Sequence, residues 1–264
     1  MNICILGSGN VATHIAKSLD KEGENVVTIY SKSLNHAAQL AHCLKNAEAT
    51  DSLASLPKAD VYLFALKDNV LCTIVDAMNQ LGFGKDALWA HTAGSMPLSV
   101  FRGIKHSAVM YPMQTFSKTR IINFKEVPLF IEANNPTSSH VIEALAKKLS
   151  DHVSWLDSEK RKYLHLSAVF ANNFTNHCCT LAFKLLEDHG IDPTTLLPLI
   201  DETTRKLHAM HPLQAQTGPA VRWDENVIAN QVKLLDDMPD LQHAYTLLTQ
   251  SIHQCKNAET PDHD

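Results

Sequence analysis

The chain has 264 residues, of which 45% are apolar, with a net charge of −5. That is enough apolar material for a sizeable core in one large domain or two modest ones. The charge shows no strong bias along the chain, so neither a nucleic-acid footprint nor a polybasic membrane anchor is expected, and a small-molecule partner is. Six cysteines without CxxC spacing fit a reducing compartment, and no apolar run approaches membrane-spanning length, so a soluble, cytoplasmic protein is expected.

The first strand is expected at 2–6, where Ile3-Cys4-Ile5-Leu6 breaks into Gly7-Ser8-Gly9-Asn10-Val11-Ala12 and then into helix. Strand, glycine turn and helix start together form a dinucleotide-binding pattern. The first glycine permits the turn, the second lets the backbone approach a pyrophosphate, and the free N–H groups of the helix face that anion. Gly7, Ser8, Gly9, Asn10 and Val11 are therefore candidate cofactor contacts. An ordinary strand-to-helix turn is the plainer reading.

Further strands are expected at 25–30, 60–66, 87–92, 106–111, 127–133 and 152–156, with helices over 10–22, 33–45, 69–81 and 137–150. This alternation indicates an α/β domain with a mostly parallel sheet, whose ligands bind at the carboxyl ends of the strands. After strand two stands Tyr30-Ser31-Lys32-Ser33, where NAD-preferring sites usually carry a carboxylate. Two hydroxyls and an ammonium at Ser31, Lys32 and Ser33 suit a 2′-phosphate and favour NADP(H).

Leu66 and Lys67 leave the next strand beside the expected nicotinamide. Asn69 follows, either to bond substrate or carboxamide or to cap the next helix. His91, in His91-Thr92-Ala93-Gly94-Ser95, would either touch cofactor or substrate or be a core histidine bonded to backbone. In Tyr111-Pro112-Met113-Gln114-Thr115-Phe116, Gln114 is a candidate for shaping the substrate pocket.

Beyond residue 157 the strand signals stop, so a dinucleotide domain over 1–157 and an all-helical substrate and dimerisation domain over 158–264 are expected. The first helix should run from Asp157 or Ser158 to Asp188. At 100° per residue, His165, Asn172 and Asn176 share a face of what reads as a buried helix, lining either a polar cleft or a structural polar seam. In a cleft, His165 would donate a proton while Asn172 fixes a carbonyl oxygen. Lys160, Arg161 and Lys162 read as a wet helix end or an attractor for a carboxylate. Thr217 and Arg222, in Thr217-Gly218-Pro219-Ala220-Val221-Arg222-Trp223-Asp224, would close the cleft, with Arg222 on a substrate carboxylate or paired to Asp224. His208 and His211 make too few ligands for zinc, and no metal site is expected.

The GSGNVATH opening, YSKS, HTAGS from His91, YPMQTFS from Tyr111, HLSAVFANNFTNH from His165 and TGPAVRWD from Thr217 resemble a bacterial family. Its members join a Rossmann-like domain to a helical domain of unknown function of the DUF2520 type. That family looks related to pyrroline-carboxylate, ketopantoate and deazaflavin-dependent NADP reductases, and some members are regarded as alternative ketopantoate reductases. The resemblance, which covers essentially the whole chain, implies NADPH-dependent reduction of 2-dehydropantoate for pantothenate synthesis, and a homodimer through the helical domain. The related reductases carry a lysine four residues before the helix asparagine, but here Ala168 precedes Asn172, so His165 is the candidate substitute. A cyclic-imine reductase and a non-catalytic NADP(H)-binding module are the alternatives.

Overall fold

The computed structural model describes residues 1–84, 86–120 and 122–258. They divide into two compact units, Met1–Phe174 and Thr175–Asp264.

The first unit is built on one eight-stranded sheet. Its strands are β1 (Asn2–Leu6), β2 (Asn25–Tyr30), β3 (Glu48–Thr50), β4 (Val61–Phe64), β5 (Leu88–His91), β6 (Ser107–Pro112), β7 (Leu129–Ala133) and β8 (Val153–Trp155), in the order β3-β2-β1-β4-β5-β6-β7-β8. Every pairing is parallel except β6 with β7. The mostly parallel α/β architecture expected from the alternation is therefore present. Only β3 went unpredicted, because three residues, Glu-Ala-Thr, leave no period to detect.

Helices α1 (Asn10–Lys21), α2 (Leu34–Ala41), α3 (Asp68–Gln80) and α4 (Pro136–Leu149) connect the strands. Residues on β1 alternate between two cores: Ile3 and Ile5 pack with α1 residues Ala12, Ile15 and Leu19, whereas Cys4 and Leu6 pack with α3 residues Leu71, Ile74 and Met78. The period-two geometry of a strand forces this division and buries both faces of the central strands. Burial pushes the Cys4 thiol up to about 12, which makes it a small core residue rather than a nucleophile. The order in which successive strands join the sheet reverses at β1, flanked by β2 on one side and β4 on the other. In open α/β sheets, that switch point opens the ligand crevice at the carboxyl ends of the strands.

The first unit ends with α5 (Ser158–Ala168) and a π-helical turn over Val169–Phe174. The second unit holds α6 (Thr175–Asp188), a 3-10 turn over Pro193–Leu196, α7 (Leu197–Ala209), α8 (Pro212–Ala215), α9 (Pro219–Arg222), α10 (Glu225–Lys233) and α11 (Pro239–Ala258). It is all-helical among the described residues. Helix was expected without interruption from residue 158 to 188, and the contiguous helical segments cover that span. The division between units nevertheless falls at 174 rather than 157, because the buried Arg161 of α5 ties it to Glu132 on β7.

The π turn winds more widely than an α-helix, so a count at 100° per residue does not run through Val169–Phe174 and does not place Asn172 on the His165 face. Nor is the helix buried, since no residue from Lys162 to Cys178 is buried within the chain.

Candidate active site

Gly7 follows β1 with φ +126°, where L side chains are strained. A Cβ there would overlap the carbonyl oxygen of Ala65, which follows β4. The glycine thus lets two strand ends close at the switch point, while its N–H donates to the Tyr30 carbonyl at 2.8 Å. Gly9 differs, because a Cβ there would meet nothing within 4 Å. The fold itself does not require Gly9 to lack a side chain. As N-cap of α1, Gly9 supplies no side-chain cap, and no acidic residue stands in the first turn. Asn10, Val11 and Ala12 therefore present first-turn N–H groups without a competing carboxylate, an arrangement that fits a pyrophosphate.

The loop after β6 folds onto the same helix end. Asn10 Nδ2 donates to the Phe116 carbonyl at 2.8 Å, and His14 packs on the Phe116 ring with Nε2 2.9 Å from the Ser117 carbonyl. The side chain of Asn10 is thereby committed to the loop, leaving its N–H as the group turned to a ligand. Gln114 on this loop is exposed, and its Oε1 accepts from the Thr115 N–H.

At the end of β2, Ser8 Oγ donates to Ser31 Oγ at 3.0 Å, linking the glycine turn to the 31–33 segment. Ser33 caps α2 by accepting from the His36 N–H. Lys32 is exposed. A carboxylate that no linear spacing revealed stands nearby, since Asp51, just past β3, raises the Tyr30 hydroxyl together with burial, the larger cause.

After β4, Leu66 is half-buried, and Lys67 and Asn69 are exposed at the start of α3. Lys67 occupies the N-cap without a side-chain cap bond, so Asn69 does not cap the helix. The neighbouring Asp68 instead accepts from Ser95 Oγ, clasping this loop to the one after β5.

His91 is fully buried, with Nδ1 accepting from the Ala93 N–H and Nε2 donating to the Pro97 carbonyl. Burial, reinforced by the Arg161 charge, holds the imidazole down to about 3, so it stays neutral. No ring surface remains to touch a ligand, and the expected cofactor contact gives way to a brace for the 91–97 loop.

Arg161 is likewise fully buried rather than part of a wet helix end. Its guanidinium pairs with Glu132 on β7 and donates to the Met96 carbonyl at 2.8 Å and to Ser158 Oγ at 3.1 Å. Ser158 in turn donates to Glu132 at 2.7 Å and accepts from the Leu98 N–H at 2.9 Å. A buried charge needs such partners. Together these bonds fix the first turn of α5 against the β7 strand and the 94–98 loop.

One turn further, on the same face of α5, stands His165. Its Nδ1 lies 3.0 Å from Tyr111 Oη, and the two rings meet edge to face. Gly94 makes the approach possible, since a Cβ there would stand 2.6 Å from His165 Nδ1 and 2.8 Å from Tyr111 Cε2. Tyr111, Gly94 and half-buried His165 therefore form one cluster at the carboxyl ends of β5 and β6. Sequence reasoning took the loop after Tyr111 for the pocket and passed over Tyr111 itself, whose strand register gave no sign that its ring meets α5.

Asn172 is exposed on the π turn. Asn176, Thr217 and Arg222 belong to the second unit and are exposed there. Trp223 takes a left-handed conformation at the end of α9 and packs on His253. Asp224 caps α10 by accepting from the Val227 N–H, and no Arg222–Asp224 bridge occurs among the described residues. No group of three metal-ligating side chains stands together among the described residues, and no helix there is long and apolar enough to cross a membrane.

Residues 2–84 match the family described as NADP oxidoreductase, coenzyme F420-dependent, and residues 127–252 match the domain of unknown function DUF2520. Among solved structures, protein BF3122 from Bacteroides fragilis, whose designation as an NADP oxidoreductase is itself inferred, is 45% identical. The match covers 96% of this chain and 98% of that one, with a TM-score of 0.91. A pyrroline-5-carboxylate reductase from Coxiella burnetii shares the fold at 16% identity, 99% coverage of both chains and a TM-score of 0.57. An imine reductase variant from Myxococcus stipitatus does so at 14% identity, covering 97% of this chain and 94% of its own, with a TM-score of 0.60. No curated protein sequence matches the chain. Near-complete coverage at 45% identity places the chain in the family of the Bacteroides protein: it belongs to the NADP-dependent oxidoreductases in which a Rossmann-like unit precedes a DUF2520 helical region.

Proposed function

We propose that the protein reduces a small carbonyl acid with NADPH, and that 2-dehydropantoate, giving pantoate, is the first substrate to test. One observation carries this reading: a histidine and a tyrosine are held at the carboxyl ends of β5 and β6, in the sheet whose β1 end carries the uncapped glycine turn. NADPH, when bound, supplies a hydride. Gly7 closes the turn, Gly9 leaves room for the pyrophosphate, and the first-turn N–H groups of α1 hold it. Ser31, Lys32 and Ser33 bind the 2′-phosphate, with Lys32 supplying the charge. His165 donates a proton to the substrate oxygen as that oxygen gains charge. Asn69 and Asn172 orient the substrate, and Leu66 and Lys67 border the nicotinamide. Gln114 is assigned to substrate specificity. The choice of ketopantoate rests on the later motifs, from HTAGS to TGPAVRWD.

Assembly as a homodimer is part of the proposal. Tyr163, Leu166, Phe170 and Phe174 are 66%, 52%, 62% and 49% exposed, and the Phe170 and Phe174 rings meet edge to face. An apolar series of this kind is what a second copy of the chain would cover. Sedimentation at micromolar concentration should give twice the monomer mass, and a monomer would remove this part.

The experiment follows NADPH absorbance with 2-dehydropantoate, pyrroline carboxylate and no substrate. Oxidation with the first supports the proposal, and oxidation with the second alone would replace the carbonyl acid by a cyclic imine. Binding of NADPH without turnover of any carbonyl compound would make the protein a cofactor-binding module.

A further inference from the structure

We propose that Tyr111 is a positioning residue that donates its hydroxyl proton to His165 Nδ1 and so fixes the imidazole as the Nε2–H tautomer. Its catalytic consequence rests on the proton-donor role given to His165 above; its structural content does not.

The 3.0 Å separation of Oη and Nδ1 allows one proton between them, carried by either partner. If the histidine donated, the phenol proton would be left with Met113 Sδ, 3.6 Å from Oη, a thioether and a poor acceptor. If the tyrosine donates, its proton meets a basic imidazole nitrogen, and a phenol is the better donor of the two because its oxygen lone pair is delocalised into the ring. Tyr111 is 8% exposed, and burial raises its hydroxyl, so it retains the proton it has to give. The Arg161 charge works the other way and lowers the hydroxyl, while that charge is itself matched by Glu132 and the neighbouring His91 is neutral. The other ring nitrogen, Nε2, then carries the hydrogen that passes to a substrate oxygen; as it leaves, the Tyr111 proton moves to Nδ1, so the imidazole stays neutral and the charge left on the tyrosine oxygen lies in the field of Arg161. Gly94 is part of the same device, since a side chain there would drive the two rings apart.

The test is spectroscopic and independent of turnover. Long-range proton–nitrogen correlation of histidine-labelled full-length protein at about pH 8.5, above the ordinary histidine range, reports which ring nitrogen bears hydrogen. The His165 signals are identified by their loss in His165→Gln. In the wild type, hydrogen should reside on Nε2, and Tyr111→Phe and Gly94→Ala should each move both nitrogen shifts toward the average of a tautomer mixture. Hydrogen on Nδ1 in the wild type, or an unchanged spectrum in a folded Tyr111→Phe protein, would overturn the proposal. If neither variant folds, the wild-type tautomer alone decides. A parallel assay expects Tyr111→Phe to lower kcat about tenfold with little change in KM. A fixed tautomer without turnover of any carbonyl acid would sink the reductase reading alone, whereas turnover with an unfixed tautomer would sink the role of Tyr111 alone.

Discussion

His91 makes the protein sensitive to acid in a calculable way. In the unfolded chain its imidazole titrates near the ordinary value of about 6.5, whereas in the fold burial, and after it the Arg161 charge, holds it to about 3. Between those values the unfolded state takes up a proton that the native state refuses. The stability tied to His91 is therefore whole above about pH 6.5 and is lost as the pH falls, until the folded imidazole itself protonates. The slope is about 1.4 kcal/mol per pH unit, so a change from about pH 7.5 to about pH 5 removes roughly 2 kcal/mol through this one group. Other histidines and the carboxylates also titrate, and a difference measurement separates them. Urea unfolding of the wild type and of His91→Gln is compared at the two pH values, and the quantity of interest is each protein's own loss on acidification. The wild type should lose about 2 kcal/mol more than the variant, whatever the variant's stability at neutral pH. Equal losses would refute a neutral, buried His91 and with it the brace assigned to the 91–97 loop.

Arg161→Leu should destabilise the protein by about 3 to 5 kcal/mol, because Glu132 would keep its place without its cation; a midpoint unchanged in thermal unfolding would contradict that. Gly7→Ala should reduce the yield of folded protein, since the Ala65 carbonyl occupies the position of the new methyl group; soluble expression with wild-type NADPH affinity would count against the strand closure described. Lys32→Asp should lower the preference for NADPH over NADH measured from the two Kd values, and an unchanged ratio would locate the 2′-phosphate elsewhere. His165→Ala should cut turnover by about a hundredfold or more, and near-normal kcat in a folded variant would end its role as proton donor.

The local signals were legible wherever one short segment carries the whole pattern. The glycine turn needs only β1, the turn and α1, and its residues are consecutive. The strand runs and the helical C-terminal half announced themselves by period, and capping residues such as Asp157 marked where helices begin. What failed were inferences that carried a regular geometry across an irregular place. The His165–Asn172–Asn176 stripe assumed α-helical winding, and the π turn at Val169–Phe174 breaks it. Arg161 looked like surface between two lysines, because a run of bases says nothing about which one turns inward to Glu132, 29 residues away.

The amino-acid sequence by itself determined the glycine turn, the alternating strands and helices, and the helical half that follows. These depend on side-chain period and on backbone freedom within a few residues, which the chain states directly. Only the tertiary structure decided that His91 is a sealed brace, that Arg161 is the anchor of α5, and that Tyr111, Gly94 and His165 meet. The Arg161 bonds and the Tyr111–Gly94–His165 cluster join strands or loops to a helix many residues away, and such approaches are fixed by strand order and buried charge pairing rather than by any local pattern.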